Sequence, residues 1–277
     1  MTALVFTLKS QLLLPVDLSP LTPDTLAGKN KTQIAAIKLV SGNQKVVVSK
    51  LFSIAGTDTE NIRIQRSSKL LTHVGQRMSH GKILVRGDVG DYLGENMSGG
   101  SLQVNGNCGD STACNLRGGL IEIDGDTGDR LGANFIGESH GMNEGTVIVS
   151  GNAGNRVGER MRRGTIIIRG HVGHYCAKDM LAGSIIILGK TGHYLGHGMK
   201  RGTIILTKKP RHILATFRHC GLLKIEFLRL LFKQMATSNK ELLFFNNFGP
   251  EAIRYAGDIS CEGLGEILVL QNARFSK

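Results

Sequence analysis

The chain has 277 residues, of which 41% are hydrophobic, and it carries a formal net charge of +12 at pH 7. Chains of this length and apolar content bury a substantial core, which excludes a disordered protein and a small disulfide-stapled domain. No run approaches the roughly 18 consecutive apolar residues of a membrane helix, and the 5 cysteines form no C-x-x-C pair, so we expect no membrane segment and a reducing, cytoplasmic location.

Residues 1–65 predict a small capping segment that precedes the regular part of the chain. Residues 4–8 and 46–48 are short apolar runs of the kind that form strands. Thr22 followed by Pro23 is typical of a helix start, with Thr22 as the N-cap and proline at the first helical position. We therefore expect two strands and one short helix in this segment.

Glycine recurs at a fixed spacing between residues 66 and 208. The chain contains 37 glycines, about twice the usual share of roughly 7%. An offset of 19 residues brings one glycine of each repeat into a column: Gly87, Gly106, Gly125, Gly151, Gly170 and Gly189. Each has a second glycine three residues later, and one step is lengthened to 26 residues by an insertion between Gly132 and Gly145. A repeat with one strand and one glycine loop predicts stacked coils of a β-solenoid.

Two further columns indicate which side chains face the interior. The strand of every repeat carries an alternating apolar pair: Ile83 and Val85, Leu102 and Val104, Ile121 and Ile123, Val147 and Val149, Ile166 and Ile168, Ile185 and Ile187, Ile204 and Leu206. A loop column holds six of the eight methionines: Met78, Met97, Leu116, Met142, Met161, Met180 and Met199. Because unbranched thioethers fill core space well, we assign this column to the core and not to a soft-metal site.

The outward strand face changes from polar to apolar along the repeat. In the later repeats it becomes a stripe of four isoleucines: Ile148, Ile167, Ile186 and Ile205. Soluble proteins seldom leave such a stripe uncovered. Residues 224–235 have the spacing of an amphipathic helix, with Phe227 on its apolar face, and residues 266–270 predict a closing strand. We expect this helix to cover the stripe, with another subunit as the alternative.

Titratable residues align in loop columns that favour a structural role. One column runs through Asp91, Asp110, Asp129, Asn155, His174 and His193. A polysaccharide-active solenoid needs clustered carboxylates for acid–base or calcium chemistry, whereas a column that changes from aspartate to histidine is typical of a solvated polar ladder. Four histidines could meet at a metal, but no cysteine or carboxylate accompanies them at a recognised spacing: His171, His174, His193 and His197. We predict no catalytic residue and no metal site, and we expect Cys108 and Cys114 to be unrelated thiols.

Two alternatives are a self-standing β-helix enzyme and a nucleic-acid-binding protein. Residues 146–240 hold 17 Lys and Arg against 3 Asp and Glu, which favours an acidic partner. Tyr175 and Tyr194 align with Arg130 and Arg156 and could stack on bases. The chain has no Trp and only 4 Tyr, so nucleic acid is not the expected partner.

The repeat motif resembles that of a known family. Residues 83–100, ILVRGDVGDYLGENMSGG, are similar to the repeat of the glutamate synthase C-terminal domain and of the C subunit of formylmethanofuran dehydrogenase. The insertion ending GMNEG at residues 141–145 resembles the latter family, which includes the C subunit of the bacterial formyltransferase/hydrolase complex. The same family is resembled by two segments that flank the repeat, TFRHCG at residues 216–221 and RYAGDI at residues 254–259.

The resemblance implies an all-β fold, namely a right-handed parallel β-helix with a 19-residue repeat and short capping helices. The limits of the repeat divide the chain into an N-terminal capping segment (1–65), a glycine-rich β-helix (66–208) and a C-terminal segment with an amphipathic helix (209–277). The implied function is that of a non-catalytic structural subunit in a complex that converts formyl-tetrahydromethanopterin to formate through a furan-type carrier. The alternative is the C subunit of a molybdenum or tungsten formylmethanofuran dehydrogenase.

Sister subunits would carry the chemistry of such a hetero-oligomer: an amidohydrolase-like, a formyltransferase and a dehydrogenase-B-like subunit. The resemblance implies zinc, or molybdenum or tungsten in the dehydrogenase, in those subunits and no cofactor in this chain. The family's carrier is anionic, and five basic residues occupy the same loop region of successive repeats: Arg160, Arg162, Arg163, Lys200 and Arg201. We expect these residues to contact the carrier or an acidic sister subunit, with an ordinary solvated surface as the alternative.

Overall fold

The fold was analysed in a computed structural model, which describes residues 2–238 and 240–271. The part before the repeat contains ten elements: β1 (Ala3–Leu8), β2 (Val16–Asp17), α1 (Pro23–Leu26), α2 (Lys31–Ala35), β3 (Lys38–Ser41), β4 (Gln44–Val47), α3 (Val48–Leu51), β5 (Phe52–Ala55), β6 (Asp58–Gln65) and β7 (Leu71–Thr72). The predicted strand at residues 4–8 and the helix start at Thr22 are confirmed, and the Thr22 side chain accepts a hydrogen bond from the backbone N–H of Thr25. The strand predicted at residues 46–48 ends one residue earlier, because Val48 begins α3.

Each repeat contributes one strand, and the C-terminal part adds three more strands and two helices. The strands of the repeat are β8 (Lys82–Val85), β9 (Ser101–Val104), β10 (Arg117–Ile123), β11 (Glu144–Val149), β12 (Thr165–Ile168), β13 (Ser184–Ile187) and β14 (Arg201–Leu206). They are followed by β15 (Arg218–Lys224), α4 (Glu226–Ser238), a 3-10 helix (Lys240–Asn247), β16 (Glu251–Gly257) and β17 (Leu264–Leu270). The predicted closing strand at residues 266–270 is confirmed. None of the described helices is long and apolar enough to cross a membrane.

The strands do not form the predicted all-β, right-handed parallel β-helix, and that prediction is wrong. Within the described residues they form a 13-stranded mixed sheet, in the order β15-β16-β17-β14-β13-β12-β11-β10-β9-β8-β6-β1-β5, and a second sheet of four strands, β4-β3-β2-β7. Neighbours from β8 to β14 pair in parallel, but β5 pairs antiparallel with β1, and β16 pairs antiparallel with β15 and β17. Successive strands run in the same direction only in the part of the chain that keeps the 19-residue period. Outside it the chain reverses, as between β16 and β17. Helix α4, with 13 residues, also exceeds a short cap.

Strand pairing follows the repeat position by position. Ile166 pairs with Val147 on one side and with Ile185 on the other. The insertion shifts the register only at the start of β10, between Arg117 and Leu120, and Ile121 of β10 still pairs with Val147 of β11. Equivalent side chains therefore stack at the spacing of about 4.8 Å between neighbouring strands. The division of the chain at residues 65 and 208 stays a prediction.

The columns assigned to the core from the sequence are buried. Every member of the methionine column has an exposed fraction of 0%, and Leu116, which replaces methionine once, is equally buried. The inward strand residues are at most 1% exposed. The assignment of both columns to the core is thus confirmed, and burial of these side chains supplies the main hydrophobic stabilisation of the repeat.

The isoleucine stripe is covered by the chain's own C-terminal part, as predicted. Ile148, Ile167, Ile186 and Ile205 belong to a second buried cluster, which is completed by C-terminal side chains: Leu228, Phe232, Met235, Leu242, Phe245, Phe248, Ala252, Leu268 and Leu270. The buried positions of α4 lie at helical spacing and face the sheet. Phe227 differs from the expectation: it lies in the first turn of α4 and is 62% exposed.

Thr127 carries a buried hydroxyl that lacks a hydrogen-bond partner within the described residues. It lies in an inward loop column between Cys108 and Ala153 and is 6% exposed. Because a buried unsatisfied hydroxyl costs about 1–3 kcal/mol, we expect Thr127→Val to raise the free energy of unfolding by about 1 kcal/mol, measured by urea denaturation. Thr112→Val is the matched control: its buried hydroxyl donates to the carbonyl oxygen of Gly109 at 3.1 Å, so its loss should lower stability. Destabilisation by both substitutions would contradict the assignment.

Candidate functional site

Two ladders of polar side chains run along the loops that follow the strands of the repeat. In each ladder a side-chain acceptor of one repeat receives the backbone N–H of the equivalent residue in the next, at 2.6–3.0 Å. The acceptors of the first ladder are Asp88, Asn107, Asp126, Asn152 and His171. Those of the second ladder are Asp91, Asp110, Asp129, Asn155 and His174. Both ladders satisfy backbone donors of the loops.

The second ladder is the polar column predicted from the sequence, and that prediction is confirmed. The first ladder was not predicted, although its signal is equally plain: an Asp, Asn or His follows the first glycine of the first five G-x-x-G motifs. The acceptor role also fixes the histidine tautomer. Since Nδ1 of His174 accepts the N–H of His193, the proton of its neutral ring lies on Nε2. Side chains committed to backbone hydrogen bonds are poorly placed for acid–base catalysis.

A surface groove of about 780 Å³ lies beside the second ladder. Its floor includes Tyr175 and Tyr194, whose rings are stacked with centroids 4.6 Å apart and planes 12° apart. Arg130 and Arg156 line the same groove, so the predicted alignment of these tyrosines and arginines is confirmed. The groove offers flat aromatic faces beside two guanidinium groups, a combination that suits contact with an anionic or planar surface.

The buried carboxylate of Glu159 holds the arginines of this groove in place. It is 5% exposed and lies 3.0 Å from Nη1 of Arg130 and 3.9 Å from Nη1 of Arg156. Nζ of Lys178 contacts its other oxygen at 3.2 Å. A buried carboxylate surrounded by three cations is electrostatically satisfied. Glu159 therefore orients the groove and has no lone charge to offer a substrate.

The backbone places the tyrosines and arginines outward in the same way in each repeat. Arg130, Arg156, Tyr175 and Tyr194 all have φ between +58° and +65°. This left-handed conformation is uncommon for residues with a side chain. It is held by hydrogen bonds between repeats, since the N–H of Tyr175 donates to the carbonyl oxygen of His193 at 2.9 Å. The conformation thus belongs to the repeat and is not confined to one reactive site.

The five basic residues proposed as a carrier contact are exposed, and three of them have acidic partners. Nε of Arg160 lies 4.0 Å from Asp179. Lys200 and Arg201 both contact Glu262, at 3.7 Å and 3.4 Å. The remaining two, Arg162 and Arg163, have no ion pair to a described carboxylate. The structure thus brings Lys200 and Arg201 together at one carboxylate, whereas Arg160 pairs elsewhere.

Two of the four histidines considered from the sequence accept backbone hydrogen bonds, and three of the five cysteines are buried. His171 belongs to the first ladder and His174 to the second, and no group of three or more His, Cys, Asp or Glu that could hold a metal occurs among residues 2–238 and 240–271. Burial raises the pKa of the thiols of Cys114 and Cys176 to about 12 and raises that of Cys108 as well. Thiols with such pKa values stay protonated at neutral pH and are inert as nucleophiles.

Comparison with known proteins gives one family model and several relatives. The model described as "GXGXG motif" matches residues 82–229, slightly more than half of the chain. The C subunit of tungsten-containing formylmethanofuran dehydrogenase 2 from Methanococcus maripaludis is 31% identical over 94 residues, which are 33% of this chain and 35% of the relative. The C subunit of molybdenum-containing formylmethanofuran dehydrogenase 1 from Methanothermobacter marburgensis is 34% identical over 84 residues, 30% of this chain and 21% of the relative. The chain thus matches about a third or less of the length of these curated relatives.

A solved structure is similar over nearly the whole chain. It is a chain in the crystal structure of the formyltransferase/hydrolase complex (FhcABCD) from Methylorubrum extorquens, determined in complex with methylofuran. The TM-score is 0.88 with 32% sequence identity, and the match covers 96% of this chain and 98% of that chain. Similarity of this extent includes the terminal parts as well as the repeat.

Proposed function

We propose that this chain, which belongs to the GXGXG-motif family, is a non-catalytic structural subunit of a formyltransferase/hydrolase complex. The observation that carries the proposal is the near full-length match to a chain of such a complex. A shared fold alone does not define a function, but agreement over both terminal parts supports the same assembly role.

The chemistry of the described residues supports a structural role. The ladder side chains accept backbone hydrogen bonds, the buried carboxylate of Glu159 is neutralised by three cations, and three thiols are kept protonated by burial. An active site needs a nucleophile or base that is free to meet a substrate. The reaction would then take place in other subunits, with this chain as a rigid element that positions them.

The composition of the complex is part of the proposal. The sister subunits are amidohydrolase-like, formyltransferase and dehydrogenase-B-like chains, and together they convert formyl-tetrahydromethanopterin to formate in the cytoplasm. The formyl group passes through a furan-type carrier, and zinc belongs to a sister subunit. This chain binds no cofactor. Its repeat presents a long regular surface, and repeat proteins commonly use such surfaces for extended contacts.

A second candidate is the C subunit of a molybdenum or tungsten formylmethanofuran dehydrogenase. The names of the curated relatives favour it. Those matches span about a third or less of each chain, so the match over nearly the full length favours the formyltransferase/hydrolase complex. The two candidates predict different metals in the purified complex, zinc in one and molybdenum or tungsten in the other.

Affinity purification from the native source tests the function. We expect the tagged chain to co-purify in constant ratio with a formyltransferase and an amidohydrolase-like subunit, and the preparation to transfer and hydrolyse formyl groups. A chain that purifies without these subunits, or with a molybdenum or tungsten protein, would refute the assignment.

The same preparation tests the carrier contact. Arg162→Glu with Arg163→Glu should weaken carrier binding or assembly at low salt, whereas Lys38→Glu with Lys45→Glu, an equal charge change on exposed residues of β3 and β4, should not.

Substitution of Asp129 separates a ladder role from a catalytic one. Its Oδ1 accepts the N–H of Asn155 at 2.7 Å, so Asp129→Ala should lower the free energy of unfolding by about 1 kcal/mol. Asp129→Asn keeps an oxygen acceptor and should stay close to the unsubstituted chain. In the assembled complex both variants should turn over within a few-fold of the unsubstituted enzyme. A loss of about 100-fold or more, typical of a catalytic acid or base, would mean that this loop takes part in the reaction.

A further inference from the structure

A second groove, of about 540 Å³, lies at the C-terminal end of the ladders, on the other side of His174 and His193. The side chains that line it are mainly basic: Lys190, Lys208, Lys209, Arg211, His193 and His212. Among the described residues, no acidic side chain lines it. Neither the three lysines nor Arg211 forms an ion pair with any carboxylate of the residues that the structure describes. Four positive charges therefore converge on one concave surface without a counter-charge from the described protein groups.

The stacking of repeats places the backbones of two of these lysines next to each other. Lys190 and Lys209 are 19 residues apart and follow strands that pair in register, with Ile187 opposite Leu206. The register persists beyond the strands, because the rings of His193 and His212, also 19 residues apart, stack with centroids separated by 5.0 Å. Equivalent positions in neighbouring repeats are about 4.8 Å apart at the backbone. Like charges at such spacing repel, and an anion between them removes the repulsion.

The first ladder ends at Lys190, where a side chain that donates hydrogen bonds replaces the acceptors of the preceding repeats. In the five preceding repeats this position holds a side chain that accepts a backbone N–H. Lys190 can only donate, and its side chain is exposed at the groove. The glycines of G-x-x-G are also lost one repeat later, where Lys208 and Arg211 occupy the equivalent positions. The sequence thus replaces acceptors and glycines by cations at this one end of the array.

Stacked histidines line one part of this groove and add hydrogen-bond donors to it. His174, His193 and His212 form a continuous stack, with centroid distances of 5.2 Å and 5.0 Å. Because Nδ1 of His174 accepts the N–H of His193, its Nε2–H is left as a donor. The groove is thus lined by histidine as well as lysine and arginine donors.

We propose that this groove binds a small phosphate-type anion with two or more negative charges. Lysine ammonium groups are compact point charges that suit a phosphate, and the guanidinium of Arg211 can donate paired hydrogen bonds to two phosphate oxygens. The volume lies within the range of small-molecule sites, about 300–1,000 Å³. The proposal is independent of the function proposed above and concerns residues other than the suggested carrier contact.

Calorimetric titration of the purified full-length chain with inorganic pyrophosphate, at constant ionic strength, tests the proposal. We expect saturable binding with one site per chain. Lys208→Ala with Lys209→Ala should raise the Kd about tenfold or more, because two charge-assisted contacts are lost. Lys38→Ala with Lys45→Ala removes the same charge from exposed residues of β3 and β4 and should leave the Kd within about twofold. Thermal melting of each variant checks that the fold is retained.

Titrations with citrate and with a glutamate-rich peptide identify the anion class. Weaker binding of both than of pyrophosphate supports a phosphate site. Absence of saturable pyrophosphate binding, or equal weakening by the two double substitutions, would refute the site. Tighter binding of citrate or of the peptide would show that the groove takes carboxylates, and the assignment to phosphate would be wrong.

Discussion

Gly151→Ala is expected to destabilise the chain severely. An added Cβ at this position would lie 2.5 Å from the carbonyl oxygen of Gly125 and 2.6 Å from its carbonyl carbon. Both atoms are backbone of the preceding repeat, so no side chain can turn aside to relieve the clash. Gly151 also donates its N–H to the carbonyl oxygen of Gly125 at 3.1 Å, which ties the two loops together. Only a residue without a Cβ permits this approach.

The cost should place this substitution among the most destabilising single changes, at about 4 kcal/mol or more. For a chain of this size that corresponds to a melting temperature lower by roughly 10 °C or more, or to insoluble protein. Thermal unfolding followed by circular dichroism measures the effect. Gly249→Ala is the matched control, because a Cβ at Gly249 meets no atom within 4 Å and needs no unusual φ. Comparable melting temperatures for the two variants would show that adjacent repeats can separate.

Much of the core could be predicted because a repeat shows the same buried apolar positions several times. The methionine column and the apolar pairs recur in every unit, so a chance apolar residue in one repeat does not obscure the pattern. The same periodicity fixes the register, since a shift of one residue would turn every strand's apolar side outward. The cover over the isoleucine stripe was predictable for a related reason: an exposed stripe requires an apolar partner, and α4 is the amphipathic segment that follows.

The parts that were not predicted depend on contacts outside the period. The antiparallel pairing of β16 with β15 and β17 cannot be seen in the repeat, and it makes the sheet mixed. The pairing of β17 with β14 joins residues about 60 positions apart in a way that no spacing indicates. The basic groove was missed because Lys209 falls where the glycine pattern has already ended. Its position above Lys190 becomes evident only when the register is known to continue.

Ile167→Asp is expected to unfold the chain or to detach its C-terminal part. Ile167 is 0% exposed and lies in the buried cluster that joins the stripe to Leu228 and Phe232. Replacing it removes about 1.5–3 kcal/mol of hydrophobic burial. It also buries an unpaired carboxylate, which adds about 3–5 kcal/mol if the charge stays enclosed. The sum is comparable to the whole stability of a domain, about 5–15 kcal/mol.

The same substitution at an exposed isoleucine separates the effect of burial from that of the added charge. Ile136 is 79% exposed in the inserted loop, so Ile136→Asp should change the free energy of unfolding by less than about 0.5 kcal/mol. Urea denaturation of the isolated chain measures both variants, and limited proteolysis reports whether α4 has become accessible. An Ile167→Asp chain that is as stable as the Ile136→Asp chain, but no longer assembles with other subunits, would mean that the stripe is an interface. The packing of α4 against the stripe predicts the opposite result, a loss of stability in the isolated chain.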